Sequence, residues 1–297
     1  MNPESPYIVE LPKITDPRGN LSFIQDFSTI PFKIRRAYWI YDVPGGEVRH
    51  GHAFRKNTEI IIALSGSFDV VVSDKNRKEK TYHLCRGYYG LVVPAGNWRR
   101  LDNFSTNSVA FVLSSTLYDA DDYIYDFERY LRSEYIPPIP DEDKPDYEKS
   151  ATDPHLTSTI DECRIVELPR NRHSNGSLTV VENTPDSLLP IARTFYLYDV
   201  PGDSERGGHS HFDAREYIIA ASGCFDVTVR DGIKSRTFTL RRPYQALYIP
   251  AGIWRTLDNF SSGSVTLVLT THLYSESDYV RDFDEFNDRT SSKTAGI

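Results

Sequence analysis

Residues 37–72 read AYWIYDVPGGEVRHGHAFRKNTEIIIALSGSFDVVV, and residues 194–229 read TFYLYDVPGDSERGGHSHFDAREYIIAASGCFDVTV. An aromatic run, a Tyr-Asp-Val-Pro turn, a histidine segment and a glycine-punctuated apolar run recur in the same frame. Both copies then continue to Pro-Ala-Gly, Asn-Phe-Ser and a closing acidic, aromatic stretch. The offset is 157 between Tyr41 and Tyr198 and between Gly66 and Gly223, and 156 between Pro94 and Pro250 and between Trp98 and Trp254. One deletion therefore separates two co-linear units, and one fold is duplicated.

Within each unit, short runs rich in Val, Ile, Phe and Tyr stand between Gly, Pro and Asp turn signals. The first copy has them at 37–43, 60–64, 68–72, 91–94 and 109–113, and the second has counterparts to each. Such spacing predicts an all-β protein made of two antiparallel sandwiches or barrels. The end of each copy, 119–131 and 275–286, has a capping Asp or Ser, early acidic residues and a mixed apolar face, which predicts a short C-terminal helix. The expected division is a first domain over 1–135, a Pro-rich acidic linker over 136–162, a second domain over 163–287 and a tail over 288–297.

The chain has 297 residues and a formal net charge of −8, which argues against a nucleic-acid partner while leaving room for an arginine-lined cleft that takes a phosphorylated small molecule. No run approaches the roughly 20 apolar residues that span a bilayer, and no basic-then-apolar leader opens the sequence, so a soluble cytoplasmic protein without a membrane partner is expected. Cys85, Cys163 and Cys224 occupy non-equivalent positions without metal-type spacing, so neither a disulfide framework nor a zinc site is expected.

The chemistry is concentrated around the repeated histidines. In the second copy His209-x-His211 is followed by Glu216 and Gly223, then by Pro250-x-Gly252, Arg255 and Asn259; the first copy keeps the frame with His52, Phe54, Glu59, Gly66, Pro94, Gly96, Arg99 and Asn103. This paired motif resembles that of the cupins, jelly-roll barrels of the double-stranded β-helix type. Where metal-binding cupins carry a further histidine ligand, both copies have an arginine, Arg99 or Arg255. A guanidinium stays protonated and repels a cation, so no metal and no cofactor are expected. Period two along a strand puts His209 and His211 on one face, where a pair of imidazoles suits general acid–base catalysis.

Taken together, VELPKITDPRGNLSFI at 9–24, PFKIRR at 31–36, the Tyr-Asp-Val-Pro turns, RGGHSH at 206–211, LSGS at 64–67, Asn-Phe-Ser at Asn103 and Asn259, and SDYVRDF at 277–283 resemble the dTDP-4-keto-6-deoxyglucose 3,4-ketoisomerases, the WxcM-like cupins. The resemblance covers nearly the whole chain, twice, although known members are single-domain proteins that pair as dimers. It implies a nucleotide-linked deoxysugar as substrate and a cofactor-free shift of the keto group from C4 to C3. His209 and His211 would exchange the protons, and Arg206 or Arg255 would stabilise the enediolate or hold the pyrophosphate. Tyr196 is a further candidate for sugar contact. Two other functions fit the same features: a sugar-nucleotide epimerase of the 3,5 type, and a non-catalytic nucleotide-sugar or carbohydrate-binding double cupin.

The copies differ where chemistry is expected. The first has His52, Arg49 and Arg99 but Phe54 in place of His211, and its His50 stands where the second copy has a glycine, so its site is expected to be degenerate. Conversely, Asp16-Pro-Arg18-Gly19 fits the family pattern, whereas the second copy has His173-Ser-Asn175-Gly176 there. Family dimers exchange N-terminal strands, so an intramolecular pseudo-dimer is expected in which Arg18 reaches the barrel that holds His209 and His211. A further homodimer is compatible with this arrangement.

Overall fold

The structure is a computed structural model that describes residues 4–135 and 156–291; most of the expected linker and the end of the tail lie outside the described residues. The chain forms two compact units that follow one plan. In the first, a seven-stranded sheet runs Tyr7–Glu10, Tyr89–Val93, Glu59–Ser65, Val109–Ser114, Arg36–Tyr41, Gly176–Glu182, Arg170–His173, and a five-stranded sheet runs Tyr123–Ile124, Arg49–Phe54, Trp98–Asp102, Phe68–Ser73, Glu79–Leu84. The second unit repeats both: Arg164–Glu167, Gln245–Ile249, Glu216–Ser222, Val265–Thr270, Arg193–Tyr198, Gly19–Gln25 and Lys13–Asp16 form its larger sheet. Its smaller sheet comprises Ser235–Leu240, Phe225–Arg230, Trp254–Asp258, Arg206–His211 and Tyr279–Val280. These are tandem cupin barrels, with neighbouring strands antiparallel.

Period two fills each core from both sheets. In the first unit Tyr38, Ile40, Ile61 and Ala63 of the larger sheet meet Phe68, Val70, Val72 and Leu101 of the smaller one. In the second, Leu197, Ile218 and Ala220 meet Phe225, Val227, Val229 and Leu257. Alternate residues point inward along every strand, which is the sequence pattern carried into packing.

Two segments belong to a unit other than the one their position in the repeat suggests. Residues 13–25 form part of the second unit, and 169–187 form part of the first. Strand Gly19–Gln25 pairs with Arg193–Tyr198, with Leu21 opposite Leu197 and Phe23 opposite Phe195; Gly176–Glu182 pairs with Arg36–Tyr41 in the same register. The contiguous boundaries at 135 and 163 are therefore crossed twice. Because the two receiving edges are copies of one another, either N-terminal hairpin fits either edge.

Each hairpin turns through two residues. Asp16 pairs with Gly19 across Pro17-Arg18, and Gly19 has φ +109°, a conformation that favours glycine. A Cβ there would stand 2.8 Å from Val200 Cγ2 and 2.9 Å from Val200 Cα. The closing segments are more broken than the sequence suggests. A 3₁₀ turn at Ala120–Asp122 leads into strand Tyr123–Ile124, which pairs with Arg49–Phe54, and only then comes helix Phe127–Arg132. The second copy does the same through Glu276–Asp278, Tyr279–Val280 and Phe283–Thr290. Asp126 and Asp282 cap these helices, accepting from the backbone N–H of Arg129 at 2.6 Å and Glu285 at 2.8 Å. Among the described residues no helix is long and apolar enough to cross a membrane.

Gly19→Ala is expected to lower the stability of the second unit by about 1–3 kcal/mol, from strain at positive φ and the Val200 contact. Gly45→Ala, which meets nothing within 4 Å, serves as the control and should leave the urea midpoint unchanged. Equal midpoints for the two variants would show that the hairpin does not constrain the unit.

Candidate active site

In strand Arg206–His211 the register against Trp254–Asp258 shifts between Gly207 and His209, and both Gly207 and Gly208 have positive φ, +84° and +68°. This bulge re-aims the strand, and the positive φ of both residues favours glycine there. It brings His209 opposite Arg255, on the wall of a cavity of about 480 Å³. Leu21 and Phe23 of the hairpin join Phe195, Leu197 and Ile218 as apolar lining, while Arg18, Arg193, Arg206, Arg255 and Arg281 bring cationic groups to it.

Behind His209 lies a buried polar chain. His211 Nδ1 is 2.8 Å from Asp278 Oδ2, and its Nε2 is 3.1 Å from Glu216 Oε1. Glu216 Oε2 is 2.7 Å from Arg255 Nη2, and Arg255 Nη1 donates to the His209 carbonyl at 3.0 Å. His211, Glu216 and Arg255 are each at most 2% exposed. Burial by itself opposes ionisation of Glu216, but Arg255 and His211 outweigh it and hold the carboxyl well below the usual range. Burial also opposes ionisation of Asp278, and its hydrogen bond with His211 prevails, lowering it.

His209 is different. Burial, reinforced by the Arg255 charge, holds its imidazole well below the usual histidine range, so it is neutral near pH 7. Among the described residues neither of its ring nitrogens makes a well-formed hydrogen bond. Its ring lies 5.1 Å from that of His211 at 86° and 4.9 Å from that of Tyr279, whose hydroxyl accepts from Arg193 Nη2 at 3.0 Å.

The structure brings His209, His211, Arg206, Arg255 and Arg18 into one unit around one cavity, with two qualifications of role. His211 does not line the cavity; it stands behind His209 and Tyr279. Arg18 lies at the cavity with its guanidinium on Asp16 at 2.9 Å and its side chain 59% exposed, while Arg206 donates to the Gly19 carbonyl at 3.2 Å. Tyr196 is a correction. Its ring is fully buried and faces away from the cavity, because strand alternation gives that face to Phe195 and Leu197. Tyr279 and Arg193 were not legible as site residues, although a buried Arg in the same place of both copies, Arg36 and Arg193, was a usable signal.

The first unit's equivalent cavity, about 780 Å³, contains His52, Arg49 and Arg99. Arg99 Nε donates to Glu59 Oε1 at 2.5 Å, and Arg49 Nη1 donates to Asn175 Oδ1 at 2.9 Å. Phe54 packs edge-on against His52 at 4.8 Å where the second unit has an imidazole. The side chain of His50 lies outside the described residues.

Cupin barrels hold metals through such histidines, and ligand atoms of His209, His211 and Glu216 lie within 4.8 Å of one another. The donor set does not fit a cation. Both Glu216 oxygens are engaged by Arg255 and His211, both His211 nitrogens face carboxylates, and a fixed guanidinium stands in the coordination space.

Glu216→Gln leaves the Arg255 charge buried without its partner and is expected to destabilise the chain by about 3–5 kcal/mol in urea unfolding. Glu276→Gln, which breaks the exposed pair with Arg281, should change it by under about 1 kcal/mol. Equal effects would show that Arg255 does not depend on Glu216.

The family model described as WxcM-like, C-terminal matches residues 4–135 and 161–291. A TDP-4-oxo-6-deoxy-alpha-D-glucose-3,4-oxoisomerase of Aneurinibacillus thermoaerophilus is 35% identical over 125 residues, which is 42% of this chain and 90% of that protein. Among solved structures, the WlaRB TDP-quinovose 3,4-ketoisomerase of Campylobacter jejuni is 33% identical, with a TM-score of 0.42 and coverage of 43% of this chain and 98% of that one. The QdtA 3,4-ketoisomerase of Thermoanaerobacterium thermosaccharolyticum, in complex with TDP, is 30% identical with a TM-score of 0.42, covering 43% and 92%. With a neutral imidazole in an arginine-lined cupin cavity and two matches that together take in most of its length, the chain belongs to the WxcM-like, C-terminal family as a tandem member.

Proposed function

We infer that the second unit is a sugar-nucleotide 3,4-ketoisomerase acting on TDP-4-keto-6-deoxyglucose. The observation that carries this reading is His209: a neutral imidazole on the wall of a cavity bordered by five arginines. The name of the Aneurinibacillus relative supports the substrate class. In this reading Arg18 and Arg206, from the hairpin and the bulged strand, hold the diphosphate by charge-assisted hydrogen bonds, and the hexose points towards His209 and Tyr279.

His209 takes the proton from C3. The electron pair moves into the C3–C4 bond and the C4 carbonyl becomes an enediolate oxygen, facing the hydroxyl of Tyr279 and the cationic groups beside it. Return of the His209 proton to C4, with transfer of the C3 hydroxyl proton to the C4 oxygen, leaves the keto group at C3 and a hydroxyl at C4, so nothing is consumed. His211, held between Asp278 and Glu216, fixes the ring orientations of His209 and Tyr279 from behind and is a positioning residue in this scheme. Because residues 13–25 come from the first copy, the working site is composite, and we read the chain as an internal pseudo-dimer with one active cavity.

Incubation with the substrate in deuterium oxide, followed by NMR, tests the function: deuterium should enter the hexose and the 3-keto product should accumulate. Exchange at C5 would instead identify a 3,5-epimerase. His209→Asn is expected to lower turnover about 10²–10⁴-fold, and His52→Asn to leave it within about twofold. Equal losses would place the working cavity in the first unit.

The pH dependence follows from the lowered pKa of His209. Its basic form persists as pH falls through about 6.5, the ordinary histidine value, so kcat/KM should stay level from pH 8 through this range and drop only below it. A rising limb centred at or above pH 7 would contradict His209 as the base. Stability has the same sign: the unfolded chain binds a proton at this histidine near pH 6.5 while the folded chain does not, so stability is lost as pH falls below that value.

A further inference from the structure

We propose that the first unit's cavity is a non-catalytic binding site for an uncharged saccharide, distinct in ligand chemistry from the nucleotide-binding cavity of the second unit. The substitutions between equivalent positions all point the same way. Arg18, Arg281 and Gln25 at the second cavity are matched by Asn175, Tyr125 and Glu182 at the first, which removes two guanidinium groups and adds a carboxylate. Three arginines there face two carboxylates, Glu47 and Glu182, and the charge of Arg99 is already taken by Glu59 behind the wall. A diphosphate would therefore meet less positive charge in this cavity than in the second, with Arg49 and Arg36 as the arginines not paired to a carboxylate.

What the first cavity has gained suits a pyranose. Tyr125, which stands where the second unit has Arg281, stacks on Tyr123 with ring centroids 5.2 Å apart and planes within 13°, so the outer face of Tyr125 is an aromatic surface at the cavity edge. Tyr125 and Tyr118 are 62% and 57% exposed, so beyond their contacts with Tyr123 each keeps ring surface open to a ligand. The apolar C–H face of a sugar ring packs on such a platform, and its hydroxyl groups need the mixed donors and acceptors that Glu47, Glu182 and Asn171 supply.

Arg36 is the second, independent observation. It is 3% exposed, lines the cavity and hydrogen-bonds the Tyr123 phenol, yet its Nε and Nη2 are buried without a well-formed partner, whereas only Nε is so placed in Arg193. In the second unit the equivalent Arg193 uses Nη2 to bind the hydroxyl of Tyr279. Buried donors left unmatched at a cavity wall are stabilised by an acceptor that enters with a ligand, and a sugar hydroxyl or ring oxygen is such an acceptor. At about 780 Å³ the cavity is within the range of small-molecule sites.

Saturation-transfer NMR on the full chain decides between the alternatives, using the methyl glycosides of glucose, galactose and a 6-deoxyhexose as one set of probes and TDP as the other. At least one glycoside should receive saturation. That signal should fall at least fivefold in Tyr125→Ala and in Tyr118→Ala, both exposed positions whose loss leaves folding intact, and should be unchanged in Arg206→Ala. TDP should behave in the opposite way. Absence of a signal from all three glycosides overturns the proposal, as does a glycoside signal that survives both tyrosine variants. Loss of TDP binding in Tyr125→Ala would overturn it in favour of a second nucleotide site. Deuterium exchange by the second unit is measured separately, so failure of either reading is distinguishable from failure of the other.

Discussion

A buried arginine–glutamate pair is the constraint around which each barrel is arranged. Arg255 with Glu216, and Arg99 with Glu59, sit at no more than 3% exposure between the two sheets. Two charges removed from water are tolerated only when their geometry is good and their remaining hydrogen-bonding capacity is used. Both units meet that condition, but with different third parties. In the first, Tyr38 donates to Glu59 at 2.9 Å and accepts from Arg99 at 3.1 Å, which closes the pair on itself. In the second, Phe195 replaces that tyrosine, and the spare capacity of Glu216 goes to His211, that of Arg255 to the His209 backbone. Two substitutions, Tyr38 against Phe195 and Phe54 against His211, thus separate a closed structural pair from a pair wired into two histidines.

That difference bears directly on chemistry. A histidine between Glu216 and Asp278 has both nitrogens occupied and cannot turn, so its ring is a fixed wall for His209 and Tyr279. His209, by contrast, is enclosed, close to a guanidinium and without a strong acceptor, which is the environment that keeps an imidazole unprotonated. In the first unit Phe54 stands in the place of that histidine and makes no polar contact with Glu59, and Tyr123 and Tyr125 bring aromatic surface to the cavity edge. The same barrel therefore presents a proton acceptor in one copy and a stacking platform in the other, through substitutions that leave the buried ion pair intact.

Much of this was legible in the sequence because duplication turns a weak pattern into a register. The strands and the placing of His209 and His211 on one strand follow from period two and the repeat, whereas the Gly-Gly bulge and the opposition of Arg255 to His209 are set by strand pairing, which the sequence does not state. Tyr196 was misplaced because Phe195-Tyr196-Leu197-Tyr198 is apolar or aromatic on both faces, so alternation alone cannot say which residue faces the cavity. Tyr279 was hidden in a stretch whose acidic first turn resembles a helix start; the two-residue strand there exists only because Arg206–His211 offers it an edge. Which unit receives each hairpin is not encoded locally, since Arg36–Tyr41 and Arg193–Tyr198 present equivalent edges.

The hairpin exchange ties the folding of each unit to the other copy. Leu21 and Phe195 pack against the second core, Ser22 shares a hydrogen bond with Tyr198 at 3.1 Å, and Asn20 donates to Asp199 at 3.0 Å, so residues 13–25 are part of the second unit's stability as well as of its cavity. The reciprocal segment 169–187 serves the first unit in the same way, with Thr179 hydrogen-bonded to Tyr41 at 3.0 Å. Neither unit is complete without residues that the sequence assigns to its sister. Removal of one copy would take its hairpin from the other unit and leave a sheet edge there unpaired. Each barrel therefore depends on the other copy's hairpin for a strand of its larger sheet and for part of its cavity lining.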